Sequence, residues 1–331
     1  MNTEDGNKFQ KIYEKERKII EPKIKNVLKG RKPASLYEPS EYILDSTGKR
    51  LRPLLVIASA KACGLNYKDV YNSAIAVELL HIFTLVHDDI MDNADKRRNK
   101  VTVHKKYDLS TAILVGDILL AEAYNVLLKD GRGDFGKIAK AFTRALTEVC
   151  EGQSLDKDFE TEKSVSLADY IKMVEKKTAA LCAMCCTIGA LLANADDKTI
   201  RAMYNYGKNI GIAFQIQDDL LDITGNVKEF GKNTGGDLLE GKKTFLFITA
   251  LQRAAGKDKT ALLKVIKNKG ITPGEIETYE KLYYKLGVID DAKDSINKYT
   301  KIAVKNLKVL KNNEDIEYFT WLADSLIKRS K

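Results

Sequence analysis

Proline is nearly absent from this chain. There are five in 331 residues, and none between Pro53 and Pro273. A proline inside a helix removes a hydrogen bond and clashes with the preceding turn, so its absence leaves long stretches free to run as uninterrupted helix. Alternating apolar and polar residues are also scarce, which argues against a sandwich or barrel. Apolar residues recur at three- and four-residue spacing, and the chain reads as all-α. Cysteine is sparse and odd in number, at 63, 150, 182, 185 and 186. An odd count without a secretory signal excludes a disulfide scaffold and points to a reducing cytoplasm. Cys182 and Cys185 form a C-x-x-C, but it lies in an apolar helical run with no second ligand pair, so it reads as packing rather than zinc or redox chemistry. No apolar run approaches the roughly 20 residues of a membrane span, and the N-terminus reads as no targeting peptide. There is no Pro-, Gly- or Ser-rich linker, no internal repeat and no low-complexity tract. The expectation is a single helical domain over 1–331.

Acidic charge is in deficit: the net charge is +9. Two readings stay open here. One is a polyanionic partner, such as nucleic acid, acidic lipid or phosphorylated small molecules; the other is a lysine-rich solvated surface.

The periodicity predicts an amphipathic helix over 8–29, then short pieces around the breakers Gly30, Pro33 and Pro39. Helices follow near 51–63 and 69–92, and a densely basic loop at 93–108. Further helices are expected near 110–130, 134–157, 167–194 and 197–224. Segment 225–241 holds five glycines with Lys228 and Lys232 and reads as a flexible basic loop. Helices resume near 242–255, 258–268, 273–286, 288–312 and 314–328. Ser166 with Asp169, and Thr272 with Pro273 and Glu275, have helix-start chemistry.

Two aspartate clusters stand out: Asp88-Asp89-Ile90-Met91-Asp92 and Asp218-Asp219-Leu220-Leu221-Asp222. Both read D-D-x-x-D and both end apolar helical segments. Residues i and i+4 share a helix face with about 6 Å of rise between them, so Asp88 pairs with Asp92 and Asp218 with Asp222. Such carboxylates repel each other. Mg²⁺ takes one or two carboxylates, keeps waters and completes its shell with phosphate, and this spacing suits it; zinc prefers His and Cys. Either cluster alone also fits a solvated helix end. As a pair they differ from that, because apolar flanks precede both and basic residues follow both: Arg97 and Arg98 after the first, Lys228, Lys232 and Lys242 after the second. Acidic clusters, arginines and a glycine-rich basic loop make the inventory for a metal-bridged diphosphate. Upstream, Gly48-Lys49-Arg50-Leu51-Arg52-Pro53 sets Lys49 and Arg52 at a helix start, where basic residues oppose the dipole and anions are favoured.

Together these residues resemble the trans-isoprenyl diphosphate synthases. The likeness runs through G-K-R-L-R-P at 48–53, E-L-L-H-x₅-H-D-D-x-x-D at 78–92, and R-R at 97–98 before Thr102-Val103-His104. It continues through G-D at 116–117, K-T at 177–178, F-Q-I-Q-D-D-L-L-D at 214–222, G-K at 231–232 and D-x-x-x-G-K at 237–242. One departure is Thr47, where the family has glycine. The resemblance implies an isoprenoid-synthase helical bundle around a deep central cavity, in a homodimer. It implies Mg²⁺-assisted ionisation of an allylic diphosphate (dimethylallyl, geranyl or farnesyl) and attack by isopentenyl diphosphate, with Mn²⁺ a possible substitute. Carried over by position, Asp88 and Asp92 would bind two Mg²⁺ and Asp218 a third, supported by Asp89, Asp219 and Asp222. Arg97, Lys177, Thr178, Gln215, Lys232 and Lys242 would serve the allylic diphosphate. Thr178 and Gln215 would also set oxygen dipoles near the developing cation. Lys49, Arg52, His81, Arg98 and Phe214 would serve isopentenyl diphosphate. The loop 225–241 would close over the site, and the basic end Lys328-Arg329-Ser330-Lys331 could reach the isopentenyl site, although a frayed tail explains it as well.

Product length follows from the helix before Asp88. Phe83 lies about 7.5 Å below it and Thr84 about 6 Å. One aromatic at the fifth position with a small fourth residue resembles archaeal-type geranylgeranyl synthases. The expected main product is therefore geranylgeranyl diphosphate, with farnesyl diphosphate synthesis or a mixed fifteen- and twenty-carbon product as the alternative. Phe83 is equally a core residue, since a cavity floor is core.

Three rivals compete with this reading. A class I terpene cyclase shares the first cluster but lacks the second and needs no second diphosphate site. A non-catalytic partner subunit would have lost one cluster. A basic helical nucleic-acid binder explains the charge but not the aspartates.

Overall fold

A computed structural model describes residues 3–46, 48–225 and 235–327. It is helical almost throughout, as the periodicity implies. The helices are α1 (Thr3–Lys25), α2 (Ala34–Leu44), α3 (Leu51–Ala62), α4 (Tyr71–Met91), α5 (Val103–Lys106), α6 (Leu109–Leu127), α7 (Phe135–Thr161) and α8 (Leu167–Val174). They continue with α9 (Ala180–Leu192), α10 (Asp197–Thr224), α11 (Gly236–Leu239), α12 (Phe245–Arg253), α13 (Gly256–Asn268), α14 (Ile276–Lys285), α15 (Val288–Asn306) and α16 (Asn313–Ile327). The capping boxes at Ser166/Asp169 and Thr272/Glu275 both form.

Three local departures have physical causes. The breaker-rich stretch after residue 30 contains α2: Pro33 sits at its N-terminal edge, where no backbone N–H is needed, and buried Pro39 and Ile43 face inward. The basic loop carries a two-residue antiparallel ladder, Lys96–Arg97 with Lys100–Val101. Its turn is Arg98-Asn99, both with positive φ, as tight hairpin turns demand. The helix expected over 167–194 is interrupted by a π turn at Glu175–Ala179, where the Ala180 N–H reaches back five residues to the Glu175 carbonyl.

The expectation about apolar runs is corrected. Among the described residues, α6 is long and apolar enough to cross a membrane by length and composition alone. The sequence hid this because Asp117 and Glu122 interrupt the run. One face of α6 is buried (Ala112, Val115, Gly116, Leu119, Ala123), while Leu109, Ile113 and Leu114 are exposed.

The described chain divides into two compact units. The first comprises 1–143, 184–204 and 309–321; the second comprises 144–183, 205–308 and 322–331. In the first, α3 buries Leu51 and every residue from Pro53 to Ala60, so it is apolar all round, as a central helix should be. Packed beside it, α4 buries residues 73–84 and delivers the first aspartates at its end. In the second, Tyr170, Val174, Ile212, Ile216, Phe245, Phe247 and Tyr283 centre the core. Each such side chain taken from water contributes about 1.5–3 kcal/mol. Cys182, Cys185 and Cys186 are buried and form no disulfide, as packing residues would be.

Candidate active site

In the first unit, the end of α4 sorts its three aspartates by burial. Asp92 is exposed and caps the helix, its N–H bonding to the Asp88 carbonyl. Asp88, one turn back on the same side, is half-buried. Asp89 points inward, 2% exposed, and accepts a hydrogen bond from Arg97 Nε at 2.6 Å. Burial pushes its carboxyl above the ordinary range, with Arg97 opposing that shift. Asp89 thus anchors the arginine hairpin, while Asp88 is half-buried and Asp92 exposed.

The basic corner lies on the same unit. His81, on α4, receives a hydrogen bond from Arg52 at Nε2, 3.0 Å away. Burial drives its pKa well below 6.5, and Arg52, Arg98, Arg97 and Arg50 add to the effect. His81 is therefore a neutral acceptor amid guanidinium groups. Arg98 stands against the backbone of Gly48; a Cβ there would lie 2.6 Å from its guanidinium nitrogen. Gly48 is thereby explained as room for Arg98. Arg50 belongs elsewhere: its side chain is fully buried, in the left-handed backbone region, and paired with Glu21 and Glu78 at 2.8 Å each. The sequence motif held Lys49, Arg50 and Arg52 in one row, and the structure turns the middle one inward. The N-terminus of α3 has no side-chain cap bond, and Tyr13 bonds the Lys49 carbonyl.

In the second unit, α10 presents a ladder one residue per turn: Gly207, Gly211, Gln215, Asp219. A side chain at Gly207 would overlap the Cys182 carbonyl, and one at Gly211 would overlap Ala179. Those two glycines let α10 lie against the π turn and the start of α9. On the other side of the turn, Gly152 of α7 touches the backbone of Lys177 in the same way. Held between glycines, the turn aims its polar residues. Lys177 Nζ pairs with Asp156 at 2.6 Å, and Thr178 Oγ1 donates to Gln215 Oε1 at 2.8 Å. Gln215 Nε2 then donates to Asp219 at 3.0 Å. Asp219 also receives the Tyr170 hydroxyl at 2.6 Å and the Phe245 N–H at 3.1 Å.

Asp219 is buried, and desolvation pushes it up to about 6 against the pull of those three donors. Asp218 and Asp222 are half-buried. Asp222 accepts the Asp237 N–H at 3.0 Å, and Asp237 is itself held well above the carboxylate range by burial, Asp219 and Asp222, against Lys242. Lys242 pairs with Glu240 at 2.7 Å. Phe214 is half-buried on the same helix. The sequence reading missed Tyr170, Asp156 and Asp237. Asp237 lay inside a quoted motif, whereas the other two carried no signal beyond an amphipathic helix face.

Lys232 lies outside the described residues, as do most of the expected closing loop, Thr47 and the basic end at 328–331.

The carboxylate oxygens of the two clusters are the donor type that a hard divalent cation takes. Among the described residues, no three His, Cys, Asp or Glu side chains converge to hold a metal. Burial is the main cause that raises the carboxyls of Asp219 and Asp237, and the neighbouring carboxylates add to it.

The polyprenyl synthetase family profile matches residues 33–283. The chain belongs to the polyprenyl synthetase family. This synthetase is therefore a trans-prenyltransferase with the all-α isoprenoid-synthase fold. It is 39% identical to geranylgeranyl pyrophosphate synthase of Geoglobus acetivorans, over 97% of this chain and 99% of that one. Geranylfarnesyl diphosphate synthase of Natronomonas pharaonis is 38% identical, over 95% and 96%. A crystal structure of polyprenyl synthase from Caulobacter crescentus, complexed with calcium and isoprenyl diphosphate, matches with a TM-score of 0.90 at 29% identity, over 98% of each chain. Isoprenyl diphosphates and divalent metal ions are the working chemistry of this family.

Proposed function

We propose that this synthetase adds isopentenyl diphosphate to allylic diphosphates, with geranylgeranyl diphosphate as its main product. The observation that carries the two-diphosphate reading is the guanidinium corner around His81. Arg97 is matched by Asp89, and Arg50 is turned inward to Glu21 and Glu78, while Arg52 leans on a neutral imidazole. Positive charge gathered around a buried neutral imidazole, with Arg52 half-buried and Arg98 exposed, suits a diphosphate that needs no ion. Isopentenyl diphosphate, which is not ionised in the reaction, would bind there to Lys49, Arg52, His81 and Arg98, and Phe214 is assigned to the same substrate.

The allylic diphosphate is assigned to Arg97, Lys177, Lys232 and Lys242. Mg²⁺ at Asp88, Asp92 and Asp218, three ions in all and replaceable by Mn²⁺, would draw charge from the scissile C–O bond. Asp89, Asp219 and Asp222 support those ligands. Cations fixed before the reaction lower the barrier when they contact the leaving diphosphate better at the transition state than in the substrate. Thr178 and Gln215, hydrogen-bonded to each other at 2.8 Å, would set oxygen dipoles near the allylic cation.

Phe83 and Thr84 are buried, and we assign Phe83 as the floor of the product cavity. The Geoglobus relative's name supports a twenty-carbon product, and the Natronomonas relative's name supports a longer one as the second reading. Two further assignments belong to this proposal. The exposed Leu109, Ile113 and Leu114 stripe of α6 supports a homodimer, since a second copy would cover it. The chain passes between its two units within continuous helices α7, α9, α10 and α16, which supports one domain rather than two. A cytoplasmic location and the absence of a nucleic-acid partner complete the reading.

The deciding experiment incubates the enzyme with labelled isopentenyl diphosphate, Mg²⁺ and each allylic primer in turn, and chromatographs the dephosphorylated products. A dominant twenty-carbon alcohol is expected. A fifteen-carbon product that is not extended would overturn the product assignment, and turnover without isopentenyl diphosphate would indicate a cyclase.

A further inference from the structure

Gly116 lies inside α6, where a glycine costs about 1 kcal/mol relative to alanine. Its φ is not positive, so the backbone does not require glycine here. The requirement comes from α4. A Cβ at Gly116 would overlap the His87 imidazole at Nε2, Cδ2 and Cε1. The same ring puts Nε2 3.4 Å from the Ile113 carbonyl, one turn earlier on α6, so the tautomer protonated at Nε2 donates to it. Gly116 thus opens a slot in α6, and His87 fills it. One turn back along α4, the Phe83 ring meets His87 edge to face, with centroids 4.8 Å apart and planes at 65°.

We infer that Gly116 and His87 are specificity-positioning residues that fix product length by holding the Phe83 ring in place. The inference rests on the reading that Phe83 floors the product cavity. A floor made of one ring is only as fixed as its neighbours, and His87 is the neighbour on the side facing the aspartates. Without the imidazole, the Phe83 ring can turn into the vacated space and the floor drops. With a methyl group at 116, the imidazole is denied its slot and pressed toward Phe83, which raises the floor.

The test is a double-mutant series on the full-length enzyme, read by product-length ratio and by thermal unfolding. His87→Ala should raise the ratio of products longer than twenty carbons to the twenty-carbon product about tenfold, equivalent to roughly 1.4 kcal/mol at the branch point. Gly116→Ala should shift the ratio toward shorter products and lower the melting temperature. His87→Ala with Gly116→Ala should behave as His87→Ala alone in both measurements, because the new methyl enters the empty slot. Phe83→Ala with His87→Ala should match Phe83→Ala. A Gly116→Ala melting shift of equal size in both backgrounds would overturn the slot. A wild-type ratio in His87→Ala, while Phe83→Ala lengthens product, would overturn the prop. If Phe83→Ala leaves product length unchanged, the floor reading itself fails, and the melting data still decide whether Gly116 and His87 are coupled.

Discussion

Tyr170 donates its hydroxyl to Asp219 at 2.6 Å, inside the second unit, and both residues are nearly inaccessible to water. A buried carboxylate is tolerated only when hydrogen-bonded, and this phenol is one of three donors that keep Asp219 ionisable at neutral pH. Tyr170→Phe removes the donor without changing the packing. It should cost about 1.5–3 kcal/mol, the usual range for a hydrogen bond to a charged group. Because that bond lowers the Asp219 pKa, its loss moves the acid limb of the pH–rate profile to higher pH. Urea unfolding and a pH–rate profile with Mg²⁺ would check both. An unmoved acid limb would remove Asp219 from the ionisations that matter.

Gly211→Ala tests the glycine ladder. The added methyl meets Ala179 backbone and side chain, neither of which can rotate away. Overpacking of this kind costs about 1–3 kcal/mol. The displaced π turn carries Thr178 off Gln215, so turnover should fall with little change in the Michaelis constant for isopentenyl diphosphate. Steady-state kinetics and a melting curve measure the two effects.

His81 sets a pH dependence of stability. Its folded pKa lies well below 6.5, so below that pH the unfolded chain takes up a proton that the native state refuses. The unfolded state then binds more protons, and stability falls as pH drops through this range. One such group contributes at most about 1.4 kcal/mol per pH unit. His81→Asn should flatten the slope of stability against pH below 6.5 relative to wild type. Denaturant midpoints from pH 7 to pH 5 provide the comparison, and parallel curves would contradict a neutral His81.

Much of this was legible in the sequence because helices advertise themselves through apolar spacing. α10 was placed at 197–224, and the structure gives Asp197–Thr224. The aspartate clusters were legible as chemistry, since repulsive spacing on one face needs a cation. What the sequence could not show was direction. Asp88 and Asp89 are adjacent letters, yet one is half-buried and the other buries fully against Arg97. Arg50 stands in a row of basic residues, and only tertiary contact reveals that Glu21 and Glu78 claim it. The π turn is invisible for the same reason: one extra residue per turn leaves no compositional mark, and it survives because Gly152 and Gly211 grip it from two helices. α6 was underread because Asp117 and Glu122 break its apolar run into shorter pieces.

The aspartates make the last prediction, and their burial makes it specific. Asp88→Ala and Asp218→Ala should each lose most turnover even at high Mg²⁺, because each removes a carboxylate assigned directly to an ion. Asp89→Asn should act differently. It leaves Asp88 and Asp92 in place but weakens the salt bridge that holds Arg97. Its main kinetic effect should be a raised Michaelis constant for the allylic diphosphate, with a loss of stability from the weakened Arg97 pair. Kinetics with isopentenyl and geranyl diphosphates, Mg²⁺ titrations and melting curves for the three variants separate the roles. Near-normal rates in Asp88→Ala or Asp218→Ala would contradict the metal assignment. An Asp89→Asn enzyme that recovers full activity at high Mg²⁺ would make Asp89 a ligand rather than the anchor of Arg97.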